Sequence, residues 1–138
     1  SIDKDIKEIM DNLNSNILTI PGISYTLGAI IISEIGDIHR FSNPTKLLTY
    51  AGVDPSVRQS GKFNAKTTRI SKRGSKHLRY AIQRASSLII WNNDVFYEYY
   101  TTKRSKGKSH NNSVGHVCNK LVRVIFKLLT ENIPFNLS

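Results

Sequence analysis

The feature that most constrains this chain is a long basic segment, residues 55–79, whose first two thirds lack any helical periodicity. It contains eight Lys and Arg side chains and no Asp or Glu, and the acid-free stretch continues through Asn93. These cations are Arg58, Lys62, Lys66, Arg69, Lys72, Arg73, Lys76 and Arg79. Positive charge without local neutralisation attracts phosphates by its field and by counterion release. We therefore expect a polyanion to bind this segment, and a nucleic acid fits this expectation; basicity alone would also suit an anionic membrane surface.

The composition of residues 53–71 favours a loop over a helix. Pro55, Gly61 and several Ser and Thr side chains interrupt it, and a short strand pair around Val57 and residues 67–70 is compatible with the pattern. Loops of this length inside a small domain are usually functional or disordered. Ser60 lies within this loop beside Gly61, a residue that lets another backbone approach closely.

Apolar periodicity on both sides of the loop predicts an all-α fold. Apolar residues recur at helical spacing, and Ser, Asn, Pro and Gly stand at the expected helix ends. The predicted helices are 2–16, a Ser24-capped helix to about residue 35, 44–51, a Ser75-capped helix to about residue 91, an Asn93-capped helix to about residue 103, and 113–131. The first helix shows no N-terminal cap, and Pro134 indicates a frayed tail.

Composition limits the classes of protein that fit this chain. It has 138 residues, of which 39% are hydrophobic, enough for one compact domain, and its net charge is +10. The most apolar run, residues 27–35, is interrupted by Ser33 and Glu34 and is too short to cross a bilayer. The polar first residues do not form a signal peptide. Cys118 has no second cysteine for an internal disulfide, so we expect a cytoplasmic protein without a membrane partner.

The hairpin Ile20-Pro21-Gly22-Ile23 precedes a predicted helix and is typical of helix-hairpin-helix modules. In such modules the backbone N–H groups around the glycine and at the next helix N-terminus hold a DNA phosphate. Gly22 is therefore a candidate nucleic-acid contact. The alternative is a tight turn between helices with Ile20 and Ile23 packed in the core. Ser24 stands where many such hairpins have a second glycine.

A second candidate phosphate site is the Lys72-Arg73-Gly74 turn before the helix that begins after Ser75. Cations, unpaired N–H groups and the positive end of the helix dipole would coincide there. The alternative is a solvated basic turn.

Ser60 is a weaker candidate when judged by its neighbours in sequence. A lone serine in a loop is usually polar surface, and no His or Asp is placed by sequence to act as its base. Arg58, Lys62 or Arg69 would nevertheless suit the stabilisation of an alkoxide and a pentacovalent phosphate.

Other site types find little support. His39, His77, His110 and His116 show no zinc spacing with the single cysteine, so no metal site is predicted. The aromatic residues Trp91, Tyr97, Tyr99 and Tyr100 suit base stacking. At helical spacing, however, aromatic residues belong more often to the core, and we expect them there.

Six short motifs in fixed order carry a specific resemblance. They are IPGI at 20–23, ISEIGDIHRF at 32–41, LLTYAGVDP at 47–55, QSG at 59–61, RISKRG at 69–74 and LRYAI at 78–82. Over about residues 17–135 the chain resembles the C-terminal domain of the bacterial insertion-sequence one-ten family of transposases, the bridge-RNA-guided recombinases. The Ser-Gly motif of that family, which supplies its nucleophile, corresponds to Ser60 and Gly61.

The resemblance implies an organisation larger than this chain. Residues 1–16 would be the end of a coiled coil and 17–138 the C-terminal transposase domain, whereas the RuvC-like domain with four acidic ligands for Mg²⁺ would be absent from this chain. It also implies DNA and a guide RNA as partners, and a homo-oligomer for the full-length protein. The rival interpretation is a non-catalytic module that only binds the backbone of DNA or RNA.

Overall fold

The computed structural model describes residues 1–53 and 74–137. Within these ranges the chain is all-α, as predicted, and contains no strand. Its helices are α1 (Ile2–Leu13), α2 (Tyr25–Ile35), α3 (Pro44–Ala51), α4 (Lys76–Ile89), α5 (Asp94–Ser105) and α6 (His110–Glu131). Two short 3₁₀ turns, Asn16–Thr19 and Ile38–Arg40, were not predicted. The predicted loop and its possible strand pair lie outside the described residues.

Side-chain caps set the starts of the helices as the sequence indicates. Ser24, Asn43, Ser75 and Asn93 each accept a hydrogen bond from the backbone N–H three residues later, at 2.9–3.2 Å. Each bond satisfies one of the N–H groups that a helix start leaves without an internal partner. Two starts differ from the prediction, because Ser1 caps α1 through the Lys4 N–H and Ser109 caps α6 at His110.

The hydrophobic core is built around α4. This helix packs against α2 on one side and α6 on the other, and α3 and α5 also pack on α6. The apolar residues that recur at helical spacing along α4 predict its inward face, and all of them are buried: Leu78, Ala81, Ile82, Ala85 and Ile89. Because α4 is held on both flanks, its remaining face is the one left to solvent. Across the described ranges, no helix combines the length and apolarity needed to cross a bilayer.

The first helix departs from its predicted packing. The helical spacing of Ile6, Ile9, Met10 and Leu13 predicts a buried stripe. However, Ile9 and Leu13 are 59% and 57% exposed, and only Met10 of the helix is fully buried. The helix also ends earlier than predicted, at Leu13, where Asn14 adopts a left-handed conformation. An apolar stripe on α1 is therefore left outside the core.

The C-terminal tail is tethered rather than frayed. The Phe135 N–H donates to the Thr19 hydroxyl at 2.8 Å, and the Asn93 side chain donates to the Leu137 carbonyl. The Phe135 ring lies 6.5 Å from that of Phe96. The prediction of a frayed tail after Pro134 is therefore wrong, because the apolar residues after it give the tail a surface to pack on.

Candidate nucleic-acid interface

Ser75 joins three helices at the point where the described chain resumes. Its backbone N–H donates to the carbonyl of Tyr50 in α3 at 2.8 Å, and its hydroxyl donates to the carboxylate of Glu34 in α2. The same hydroxyl oxygen accepts from the Leu78 N–H and so caps α4. The structure describes the chain to Val53, just after α3, and the chain contacts α3 again at Ser75. This contact fixes the C-terminal part of the basic segment on the helical body.

Arg40 reinforces this region from the other side. Its Nε donates to the Ile35 carbonyl at 2.8 Å and its Nη2 to the Glu34 carbonyl at 3.2 Å, which places a cation at the C-terminus of α2. The guanidinium also lies over the rings of Phe41 and Tyr50, at 4.3 and 4.8 Å from their centroids. The side chain is therefore fixed although it is exposed.

A cleft of about 400 Å³ opens beside Arg40 and reaches Gly74. Lys46 and the hydroxyl residues Ser42 and Thr49 also line it, and its described lining contains no acidic residue. The cations and hydroxyl groups suit an anion such as a phosphate. The sequence analysis missed this cleft because its residues come from the turn before α3 and from α3 itself, with no shared motif.

Arg79 does not point outward as the helical period predicts. Its Nε donates to the Ala51 carbonyl at the end of α3, at 3.3 Å. Gly52, with a φ of 71°, makes room for it, because a Cβ there would lie 2.7 Å from the guanidinium nitrogens. Arg79 is half-buried and stabilises the C-terminus of α3. Its proposed contact with nucleic acid stays a prediction.

The hairpin, residues 20–23, combines a buried and an exposed side. Ile20 and Ile23 are buried, as the packing interpretation requires, whereas Gly22 is exposed. Gly22 has a φ of 88°, and a Cβ built on it would lie 3.1 Å from the Cβ of Leu88 in α4. The hairpin is therefore held against the C-terminal end of α4. Its role as a phosphate contact stays a prediction.

The outer face of α4 connects these two regions. We define it as Lys76, Tyr80, Arg84 and Ser87 of α4 together with Trp91, which lies in the turn just after the helix. All five are exposed, on the side away from the core. The helix has 14 residues, which corresponds to about 21 Å at a rise of 1.5 Å per residue. One end adjoins Ser75 and the other adjoins the hairpin. The spacing 80, 84, 87, 91 opposite the buried stripe was the signal that could have revealed this face.

The prediction that the aromatic residues belong to the core is wrong for Trp91 and Tyr97. Trp91 is 72% exposed and Tyr97 is 44% exposed, and their ring centroids lie 5.6 Å apart. Tyr99 and Tyr100 do pack against the core as expected. The exposed pair lies at the junction of α4 and α5, on the end of the outer face nearest the hairpin.

Several predicted site residues lie outside the described residues, namely Ser60, Arg58, Lys62, Lys66, Arg69, Lys72 and Arg73. Of the remaining candidates, Lys76 is exposed at the start of α4. Within residues 1–53 and 74–137, no three His, Cys, Asp or Glu side chains come together as a metal-ligand group.

Comparison with known proteins identifies one family. The model of the transposase IS116/IS110/IS902 family matches residues 14–101, more than half of the chain. No solved structure gives a significant match.

The curated relatives include pilin gene-inverting proteins and uncharacterized proteins of insertion elements. The chain is 28% identical over 123 residues to the pilin gene-inverting protein of Moraxella bovis. The aligned residues cover 88% of this chain and 38% of that protein. It is 24% identical over 135 residues to the 44.8 kDa protein of insertion element IS116 from Streptomyces clavuligerus, covering 96% of this chain and 34% of the relative. This chain therefore spans little more than a third of the length of these relatives.

Proposed function

The chain belongs to the IS116/IS110/IS902 family of transposases, and we propose that it supplies the serine nucleophile with which such a transposase breaks and rejoins DNA strands. The observation that carries the proposal is the extent of the family match. It runs from residue 14 to residue 101 and therefore includes the basic segment and Ser60.

In the proposed reaction the Ser60 Oγ attacks the phosphorus of a DNA phosphodiester. A serine O–P bond forms, one strand P–O bond breaks, and the released strand end takes up a proton as a hydroxyl. A hydroxyl from a second strand then attacks the phosphoserine and restores both the diester and the serine. Because the ester preserves the energy of the phosphodiester, strand exchange needs no nucleotide hydrolysis.

The described residues support a scaffold role for the helices around the basic segment. Ser75 is bonded to α2 and α3 through Glu34 and Tyr50, so the helical body holds the chain at the point where the described residues resume. The cationic cleft with Arg40 and Lys46 and the exposed hairpin lie on the same helical body. Positioning of phosphates by such fixed cations is a general means of stabilising phosphoryl transfer.

The described residues do not fit a Mg²⁺ site. Oxygen ligands for Mg²⁺ must converge with near-octahedral geometry, and no group of three candidate ligands meets within the described ranges. We therefore assign no metal-dependent step of the reaction to the described residues of this chain. We propose that the metal belongs to a separate RuvC-like domain of the full-length protein.

The proposal extends to partners. DNA is the substrate of the proposed reaction, and a guide RNA would select the sites. A homo-oligomer would use the apolar stripe of α1, where Ile2, Ile6, Ile9 and Leu13 follow the four-three-four spacing of a coiled-coil seam. Ile2, Ile9 and Leu13 are exposed, whereas Ile6 is half-buried against the core. On this interpretation residues 1–16 end a coiled coil and residues 17–138 form the catalytic C-terminal domain.

The decisive experiment compares Ser60→Ala with Ser56→Ala in the full-length transposase. We expect Ser60→Ala to abolish recombination and any covalent protein–DNA species trapped by denaturation, with a change in unfolding free energy below about 0.5 kcal/mol. Ser56→Ala is the matched control, because it removes a hydroxyl from the same segment and should retain activity. Recombination by Ser60→Ala at the wild-type rate would favour the rival function, a module that only grips nucleic-acid backbone.

A further inference from the structure

We propose that the outer face of α4 is a binding track for single-stranded nucleic acid, on which unpaired bases stack against Tyr80 and Trp91 while Lys76 and Arg84 hold the backbone. The inference rests on the proposed function, because it assigns this surface to a nucleic-acid partner. It adds the form of that partner, a single strand, and the residues that contact its bases.

The aromatic residues are exposed although packing could have covered them. Tyr80 is 60% exposed and Trp91 is 72% exposed, whereas tryptophan is on average a highly buried residue. Tyr80 lies in the first half of α4, and Trp91 lies 11 residues later, in the turn that follows the helix. Tyr97 lies against Trp91 with ring centroids 5.6 Å apart and widens the aromatic surface.

Charge on this face favours an anionic partner. Lys76 and Arg84 alternate with the aromatic residues, and no acidic residue occurs between residues 76 and 91. A polyanion with exposed flat rings satisfies both features at once, because bases stack on aromatic side chains and phosphates pair with the cations. A protein partner that covered this face with an apolar surface would bury Lys76 and Arg84 without opposite charges, which costs free energy.

The pattern favours a single strand over a duplex. In a duplex the bases are stacked on each other, and their flat surfaces are closed to aromatic side chains. Cations alone would suffice to grip a duplex backbone, and the exposed rings would then have no role. Sequence-tolerant binding of single strands commonly combines a basic track with successive aromatic stacking platforms.

The position of the track fits this assignment. Its first residue, Lys76, follows Ser75, where the basic segment joins the helical body. Its far end adjoins the hairpin, since Gly22 lies against Leu88 of the same helix. A strand along α4 would thus run from the basic segment to the hairpin, two regions that the sequence independently indicates as phosphate contacts.

Trp91 provides a direct test, because it is the only tryptophan in the chain. Its intrinsic fluorescence is measured while the 138-residue chain is titrated with single-stranded DNA, single-stranded RNA and duplex DNA of about 12 nucleotides, within the usual site size. We expect quenching of Trp91 by one or both single strands at concentrations where the duplex quenches little. The DNA and RNA arms identify which strand the track prefers.

Substitutions separate stacking from charge. Because the Trp91 variants lack the fluorophore, affinities of all variants are measured by the anisotropy of a labelled single strand. Trp91→Leu and Tyr80→Leu should each weaken single-strand affinity roughly tenfold, as for loss of one stacked base, without changing the salt dependence. Trp91→Phe should retain most of the affinity. Arg84→Gln should reduce the log-log salt slope by about one unit, whereas Lys127→Gln on α6, which removes the same charge from another exposed position, should leave affinity for the strand nearly unchanged.

Binding of a single strand by this surface does not depend on whether Ser60 is the nucleophile. Ser60→Ala should bind single strands like the wild type, so an inactive Ser60→Ala variant with intact quenching separates the two proposals. If saturating single strand leaves Trp91 fluorescence unchanged, or if Trp91→Leu binds single strands as tightly as Trp91→Phe, the track assignment is wrong. Equal loss of duplex and single-strand affinity in Arg84→Gln, with no effect of the aromatic variants, would show a backbone-only surface.

Discussion

The hydroxyl of Ser75 donates a hydrogen bond to the carboxylate of Glu34 across 41 residues of sequence. Together with the bond from the Ser75 N–H to the Tyr50 carbonyl, it makes one residue the meeting point of α2, α3 and α4. Ser75 is itself 7% exposed, so its polar atoms depend on these protein partners. The anchoring of the basic segment therefore depends on a small number of identifiable contacts.

Loss of the Glu34 carboxylate should destabilise the fold. Because hydrogen bonds to charged groups contribute more than neutral ones, we expect Glu34→Ala to lower the unfolding free energy by about 1–2 kcal/mol. The measurement is urea denaturation followed by circular dichroism. Glu8→Ala is the control, since Glu8 is exposed on α1 and its loss should change stability by less than about 0.5 kcal/mol. Equal stability of the two variants would show that the Glu34 contact contributes nothing.

A side chain at Gly22 should destabilise the fold more than a side chain at Gly107, which has the same φ but lies in open space. Gly22 and Gly107 both have a φ of 88°, but a Cβ at Gly22 would approach the Leu88 Cβ to 3.1 Å, whereas one at Gly107 meets nothing within 4 Å. Both Ala variants carry the backbone strain of about 1 kcal/mol. We expect Gly22→Ala to lose more unfolding free energy than Gly107→Ala in the same urea experiment. Equal losses would mean that the hairpin is not tightly held on α4.

The basic segment should dominate the salt dependence of duplex binding. Replacement of Arg69, Lys72 and Arg73 by Ala should lower the log-log slope of affinity against salt by roughly one unit for each lost phosphate contact. The matched control replaces Lys120, Arg123 and Lys127 of α6, which removes the same charge from another surface. Anisotropy titrations at several salt concentrations give both slopes. If the two triple variants have the same slope, the affinity reflects net charge and no particular segment.

Local chemistry made much of this fold predictable. Ser24, Asn43, Ser75 and Asn93 are strong caps, and α4 has a buried stripe with a complete helical period, so both could be read from sequence. Tertiary contacts decided the rest. Arg79 follows the period of an outward residue but bonds to the end of α3 beside Gly52. Trp91 is apolar, yet within the described residues it stays 72% exposed. The spacing of apolar residues shows which face of a helix is apolar. It does not show which other elements of the fold pack against each face.

The exposed stripe of α1 should mediate self-association. Ile9→Lys combined with Leu13→Lys should shift the chain toward the monomer in sedimentation equilibrium, because two charges would enter an apolar seam. The fold should be nearly unaffected, since both side chains are more than half exposed. Asp11→Lys, an exposed substitution on the same helix, should leave association largely unchanged. An unaltered mass for the double variant would exclude this stripe as the contact.

The final prediction is that Mg²⁺ or Mn²⁺ does not enable this chain to cleave DNA by itself. Two acidic residues of the described part of the chain already have structural partners, since Glu34 accepts from Ser75 and an Asp37 oxygen accepts from the His39 N–H at 2.9 Å. Asp94 lies on α5, where it favours the helix N-terminus, so these carboxylates do not converge. Incubation of supercoiled DNA with the chain and either metal should leave the plasmid intact, and addition of a RuvC-like domain should restore cleavage. Metal-dependent nicking by the chain alone, lost in Ser60→Ala, would show that these residues contain a complete active site.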